Sequence, residues 1–255
     1  MTKPGRLIFA LAIIALGIEN LIYAHFGRVV VPVLPWVPGK PVLAYLVGIA
    51  LLVAGLGVLT KAGARLSAAL LGSLLALCML LLEISRVATS PLDVAIRSRC
   101  FETLAICGVA LVLVGTLPRA GDQFYQRVVT RDRFTRIGCL LFALASVVFG
   151  IDHFLILHFI AGLIPSWIPG GLFWAYFTGI AFIAAGVSIA TAWMARWAAT
   201  LLGVMFGLWF LLLHAPRLAN SAFTHDPNEW SSAFIALAMW GGCWIIAGAF
   251  SSESW

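Results

Sequence analysis

The chain has 255 residues, 62% of them hydrophobic and 10% charged, and a mean hydropathy of +1.05. Soluble domains carry about 25% charged residues, so the composition excludes a water-soluble globular protein and indicates a multi-pass membrane chain. Its net charge of +6 then reads as a topology signal and not as a nucleic-acid-binding surface, because Lys and Arg gather on the cytoplasmic side of membrane proteins.

Hydrophobic runs fall near 7–26, 42–59, 66–83, 101–117, 137–159, 172–191, 197–214 and 232–250. A hydrocarbon core of about 30 Å needs roughly 20 residues at about 1.5 Å each. Backbone satisfaction in lipid leaves helices for such runs, so eight transmembrane helices are expected. Lys3 and Arg6 before an apolar stretch resemble a cleavable signal, yet the related decamer at mid-chain predicts a retained first helix. Between the first two spans lies VPVLPWVPGKP (31–41), and between the fifth and sixth lies IPSWIPGG (164–171). That density of Pro and Gly stops a helix and predicts a lid at the membrane surface carrying Trp36, Trp167, Pro169 and Gly170. Residues 118–136 interleave five arginines with apolar residues and predict a basic surface segment on anionic lipid.

The first and fifth spans end in related decamers, GIENLIYAHF (17–26) and GIDHFLILHF (150–159). A shift of 131 residues also aligns 36–88 with 167–219 without a gap, and 23 of those 53 positions are identical. The matches include Trp36/Trp167, Pro38/Pro169, Tyr45/Tyr176, Gly48/Gly179 and Arg86/Arg217, types that shared apolar composition does not produce. The chain therefore reads as a tandem duplication of a four-helix unit: 1–117, a linker 118–136, and 137–255. An even number of spans per unit predicts two parallel repeats about a pseudo-twofold axis along the membrane normal.

With both termini cytoplasmic, ten Lys and Arg fall inside and six outside, which sets the orientation for a multi-pass protein of the cell's inner (plasma) membrane. All five histidines and the acids Glu19, Glu83, Glu102 and Asp152 then fall toward the outer face. Buried charges in lipid are costly and mark function or pairing. Glu19 and Asp152 each precede a matched histidine, His25 and His158, by six residues. Glu83 and Arg86, and likewise His214 and Arg217, are spaced i,i+3 on one helix face. The expected pairs are Glu19 with Arg86, and Asp152 with Arg217 or His214. Asn20 is replaced by His153 in the second copy and Glu83 by His214, which makes the second half the candidate working half. Five scattered cysteines without a CxxC pair read as small buried hydrophobes. No metal site is expected, because three or four convergent ligands at a recognised spacing are lacking.

GIEN and GIDH, WVPG and WIPG, and glycines 48, 55, 179 and 186 together resemble the DoxX-like membrane family, over nearly all of the chain outside the linker. The resemblance implies a four-helix unit, here doubled, and a membrane partner in redox chemistry. On that footing the chain is expected to be an accessory subunit binding a quinone or small oxidisable solute near the outer leaflet. It would serve a partner redox enzyme, itself or as a homo-oligomer. Whether it is itself an oxidoreductase subunit stays open. Asp152, His153 and His214 are the expected proton-exchanging and donor groups. Glu19, Asn20, His25, Glu83, Arg86, His158, Tyr176 and Arg217 form the surrounding cluster. A haem held by His153 and His214, a solute carrier between the repeats, and a scaffold for a partner enzyme are the alternatives.

Overall fold

The computed structural model describes residues 2–23, 40–60, 63–117, 132–220 and 227–250. The first lid with Trp36, and the residues His25 and His225, lie outside them, as does most of the basic linker. Among the described residues there are helices and no strands. Eight are long and apolar enough to cross a membrane, and the bilayer is the environment that composition requires. They are α1 (Thr2–Tyr23), α2 (Lys40–Leu59), α3 (Ala64–Cys78) continued by α4 (Ile84–Thr89), and α5 (Val94–Thr116). There follow α6 (Arg133–Leu155), α8 (Gly171–Thr191), α9 (Ala195–Trp209) continued by α10 (Ala215–Ala219), and α11 (Pro227–Ala249). A short α7 (Leu157–Leu163) follows α6.

Several boundaries differ from the hydropathy reading. The third and seventh spans run on to Thr89 and Ala219, past Arg86 and Arg217. Backbone hydrogen bonding continues through a charged residue where a hydropathy window stops. The fourth and eighth spans start earlier, at Val94 and Asn228. Asp93 begins α5 by accepting a hydrogen bond from the Ile96 amide at 3.1 Å, satisfying one of the orphan donors of a helix start. The fifth span ends earlier, because Ile156 (φ −119°, ψ 36°) breaks the helix. GIDHFLILHF is therefore divided between two helices. Exposed His158 lies on α7, not one and a half turns above Asp152 on the same rod.

The third and seventh spans each contain a five-residue π-turn, Met79–Glu83 and Phe210–His214. Positions 79–83 and 210–214 are aligned in the two halves. Pro216 stands just after the second turn, but Ser85 occupies the corresponding place after the first. Proline is thus not what the two turns share. A π-turn rotates the residues that follow it and is common at functional positions. Here it buries its last residue, Glu83 or His214.

The spans close into a ring: α1 packs on α2, α2 on α3, α3 on α5, α5 on α6, α6 on α8, α8 on α9, α9 on α11, and α11 back on α1. Across the middle, α5 touches α11. The spans of α5 and α11 are 72% buried, against 33–50% for the others, so these two helices form the centre. Lipid supplies no hydrophobic drive between helices, and close packing at small residues replaces it. A Cβ on Gly108 would stand 2.6 Å from the Gly138 carbonyl oxygen where α5 crosses α6. One on Gly241 would stand 2.7 Å from the Gly5 carbonyl oxygen where α11 crosses α1. These two crossings join the sequence halves and are the most extensive in the molecule.

Candidate functional site

Asp152 lies near the C-terminal end of α6, and the N-terminal end of α5 runs antiparallel beside it. Arg97 of α5 donates to Asp152 Oδ1 from Nε at 2.8 Å and also from Nη2. Ser98 Oγ donates to Oδ2 at 2.8 Å. Both carboxylate oxygens are thus held, by a charged fork and a hydroxyl, at a buried position. Arg97 is fixed in turn by donating from Nη1 to the Pro91 carbonyl at 2.9 Å. The predicted grip by Arg217 or His214 does not form.

The other acid is held in a related way. Buried Glu19 of α1 accepts a hydrogen bond from Ser231 of α11, and not from Arg86. Ser98 and Ser231 occupy the same place when α5 is laid on α11, where Phe101/Phe234, Leu104/Leu237, Ala105/Ala238, Gly108/Gly241 and Gly115/Gly248 also agree. Each acid is therefore met by a serine from the last span of the opposite half. Arg97 and the two serines are the functional residues missed from sequence. The serine match was available in an alignment extended beyond residue 88, but which helices adjoin was not.

His153 follows Asp152 and is buried. Its Nδ1 is 2.7 Å from the Phe149 carbonyl oxygen, so the neutral ring donates from Nδ1 and carries its lone pair on Nε2. That Nε2 is buried with no hydrogen-bond partner. The imidazole stacks on Trp209 (5.6 Å between centroids, 12° between planes) and abuts Phe182 at 5.1 Å. Phe149 and Phe206 pack on Phe182 in turn, so two rings touch the imidazole and two more stand behind Phe182. The aligned residues of the first half are Leu16, Asn20, Leu51, Leu75 and Cys78. There the Asn20 amide donates to the Leu16 carbonyl at 3.0 Å, repeating the backbone anchor without the rings.

His214 closes the second π-turn, buried, with Nδ1 unpartnered. Glu83 closes the first, 1% exposed, with both carboxylate oxygens unpartnered. Arg86 and Arg99 are the cations whose field reaches Glu83, but no ion pair forms between them and it. Arg217 donates to the Leu163 carbonyl at 3.2 Å and pairs with Glu229 at 3.4 Å. Exposed Tyr176 packs its ring on Phe154 at 6.0 Å and lies outside the cluster. Gly170 takes a left-handed conformation (φ 78°) to start α8, and Trp174 Nε1 donates to the Pro169 carbonyl at 3.1 Å. The lid thus turns at Pro169 and Gly170. Trp167 projects outward, 68% exposed, and residues 164–167 line a cavity together with Arg217 and not with Asp152.

No protein-family model, curated protein or solved structure matches this chain. The chemistry must be taken from the geometry. Among the described residues no group of three or more His, Cys, Asp and Glu side chains converges as a metal site, and all five cysteines are buried and free. What stands out is a fixed carboxylate, two buried imidazoles each with a bare ring nitrogen, and an aromatic wall. This combination can orient a planar guest, accept its hydrogen bond and exchange a proton with it. It offers no nucleophile poised for covalent chemistry.

Proposed function

We propose that the protein is a membrane-embedded accessory subunit that binds a quinone, or a small oxidisable solute of that kind, for a partner redox enzyme. The observation that carries this reading is buried His153, with Nε2 bare, stacked on Trp209 beside the pinned Asp152. Buried polar groups nearly always find a partner, and one left bare calls for a role. Reducing a quinone takes two electrons, which the partner enzyme supplies, and two protons, for which imidazole nitrogens can serve as acceptor and donor. In this division of work His153 Nε2 accepts from one hydroxyl of the quinol, and His214 faces the opposite ring oxygen, a hydroxyl in the quinol and a carbonyl in the quinone. Asp152 is a fixed counter-charge that holds the α6 turn, and the proton passes through the imidazole.

The same reading takes the chain as two DoxX-like four-helix units in parallel, 1–117 and 137–255. Both termini are cytoplasmic and the polar ends of α1 and α6 lie toward the outer leaflet of the inner membrane. Matched π-turns, matched acid–serine bonds and matched glycine crossings support the pairing of units. The buried acids and imidazoles among the described residues gather near the ends of spans and leave the middle of the ring apolar, which counts against a carrier with a charged path through the membrane.

The test exchanges second-half residues for those of the first half: His153→Asn with His214→Glu. Binding of a decyl-tailed benzoquinone to protein in lipid nanodiscs is followed by tryptophan quenching. Losing two hydrogen-bonding groups, at about 0.5–1.5 kcal/mol each, weakens binding about tenfold. Equal affinity in the exchanged protein would refute the site.

A further inference from the structure

At the end of the spans opposite Asp152 and His153, a cavity of about 400 Å³ lies between the α8–α9 turn and Phe250, the residue that follows α11. Its lining runs from Ala192 to Trp197 and closes on Phe250. The polar side-chain groups in that lining are the Arg196 guanidinium and the indole N–H groups of Trp193 and Trp197. All are hydrogen-bond donors, and no carboxylate, hydroxyl or amide side chain stands among them. Arg196 and both tryptophans are exposed, and Arg196 forms no ion pair among the described residues.

The repeat supplies a comparison within the same chain. Arg65 is the aligned cation at the start of α3, and its Nη1 donates to the Leu117 carbonyl at 3.1 Å. Leu117 meets Phe250 when α5 is laid on α11. In the first half the arginine therefore ties the two helix ends together, whereas in the second half the corresponding place is a cavity. The neighbouring side chains differ in one direction, with Ala62, Gly63 and Leu66 standing where the second half has Trp193, Met194 and Trp197. The second turn is also strained. Ala192 and Met194 are left-handed, at φ 59° and 52°, a region that residues with a Cβ seldom enter. Gly63, in the place of Met194, has φ −92°. Ser188 holds the strained turn by donating to the Trp193 carbonyl, and strain of this kind gathers at ligand clamps.

A lining of donors, one cation and flat apolar rings calls for a guest that is rich in acceptors, negatively charged and apolar over the rest of its length. From this complementarity we infer that the cavity seats the phosphate headgroup of an anionic phospholipid. Arg196 grips the phosphate oxygens, which match a guanidinium fork. Trp193 and Trp197 stand at the ester level, where amphipathic indoles settle. The acyl chains descend past exposed Leu201, one turn beyond Trp197 on the same face of α9. A choline headgroup would bring a second cation against Arg196, with no carboxylate in the lining to receive it. The site is at the cytoplasmic end in the orientation proposed above and does not depend on the quinone reading.

The probe is phosphatidylglycerol carrying a diazirine near the carboxyl end of one acyl chain. It is placed with the full-length protein in phosphatidylcholine nanodiscs, photolysed and mapped by peptide. Labelling of 192–201, competed by unlabelled phosphatidylglycerol, is expected. Arg196→Gln should reduce it about tenfold, the weight of a hydrogen bond to a charged group, and the exposed position keeps the fold intact. Lys3→Gln removes an exposed positive charge at the same end of the molecule and should leave labelling unchanged. Equal labelling by the matching phosphatidylcholine probe, or labelling indifferent to Arg196→Gln, would reduce the cavity to ordinary lipid contact and overturn the inference. Displacement by inorganic phosphate would assign the site to a free anion and overturn the lipid. A loss as large with Lys3→Gln would show diffuse attraction of charge in place of a site.

Discussion

The pair most open to a quantitative test is Arg97 with Asp152. The carboxylate is almost fully buried and the guanidinium largely so, at 4% and 16% side-chain exposure, and Asp152 receives bonds from Arg97 Nε, Arg97 Nη2 and Ser98 Oγ. Arg97→Leu removes two of the three donors and leaves a buried carboxylate with one hydroxyl for company. Breaking a buried pair from one side costs about 3–5 kcal/mol, whereas replacing both partners by apolar residues is often neutral. For a chain of this size about 1 kcal/mol moves the melting midpoint by roughly 2–4 °C. Arg97→Leu is therefore expected to lower the midpoint in detergent by on the order of 10 °C. Asp152→Leu alone orphans the guanidinium and also lowers it, by less, because Arg97 keeps its bond to Pro91 and can reach solvent. The double variant Arg97→Leu/Asp152→Leu should recover most of the loss, giving a coupling of at least 2 kcal/mol in the four-member cycle. Single-variant losses that simply add would mean that the two side chains do not compensate each other, and the site would lose its fixed charge.

Glu83→Leu should raise the melting midpoint by a few degrees, since it removes a buried carboxyl whose two oxygens have no hydrogen-bond partner and whose burial is costly. A drop of similar size would show that the carboxylate is compensated after all. Gly241→Ala should lower the midpoint, because the new Cβ stands 2.7 Å from the Gly5 carbonyl oxygen and overpacking costs about 1–3 kcal/mol. Gly72→Ala is the contrast: its Cβ meets Ala110 at 3.5 Å, and no change beyond about 0.5 kcal/mol is expected. Trp209→Leu should uncover the His153 ring, and an NMR pH titration of its imidazole should show it exchanging with water faster than in the wild type; unchanged exchange would mean that other groups shield it.

The eight spans were legible because length and apolarity are properties of the chain itself. The exception, the break at Ile156, has no sequence mark: FLILHF contains neither glycine nor proline, and the interruption comes from Ile156 leaving the helical region. The extended third and seventh spans were hidden for the opposite reason, since arginines that end an apolar run do not end a helix. The acids and histidines were legible as anomalies in lipid. Their partners were not, because a partner is set by which helices adjoin. Sequence favoured partners within the same half, and Asp152 takes Arg97 and Ser98 from the other half. The repeat held the missing clue in Ser98 and Ser231, but only the ring order turns a matched serine into a contact.

The ring order also bears on where the two aligned halves of the sequence agree and where they differ. Backbone-level contacts such as Gly108 on Gly138 and Gly5 on Gly241 leave no room for an added atom, so those positions are held by sterics in both halves of the sequence. Positions inside each half are under a weaker constraint: Asn20 and His153 make the same anchor to a carbonyl four residues earlier, so either side chain satisfies the helix. The imidazole adds a second nitrogen that the amide lacks at that point, and the rings of Phe182, Phe206 and Trp209 replace Leu51, Leu75 and Cys78 around it. The exchanges Leu51/Phe182, Leu75/Phe206 and Cys78/Trp209 all enlarge the side chain and conserve no volume, so the second half is packed differently around its larger rings. Coordinated replacement of one polar and several apolar residues beside one imidazole supports the proposal of a guest with a planar ring. It is also what makes the residue exchange between halves the sharpest functional test: each substituted side chain is already known to fit the same backbone position in this chain.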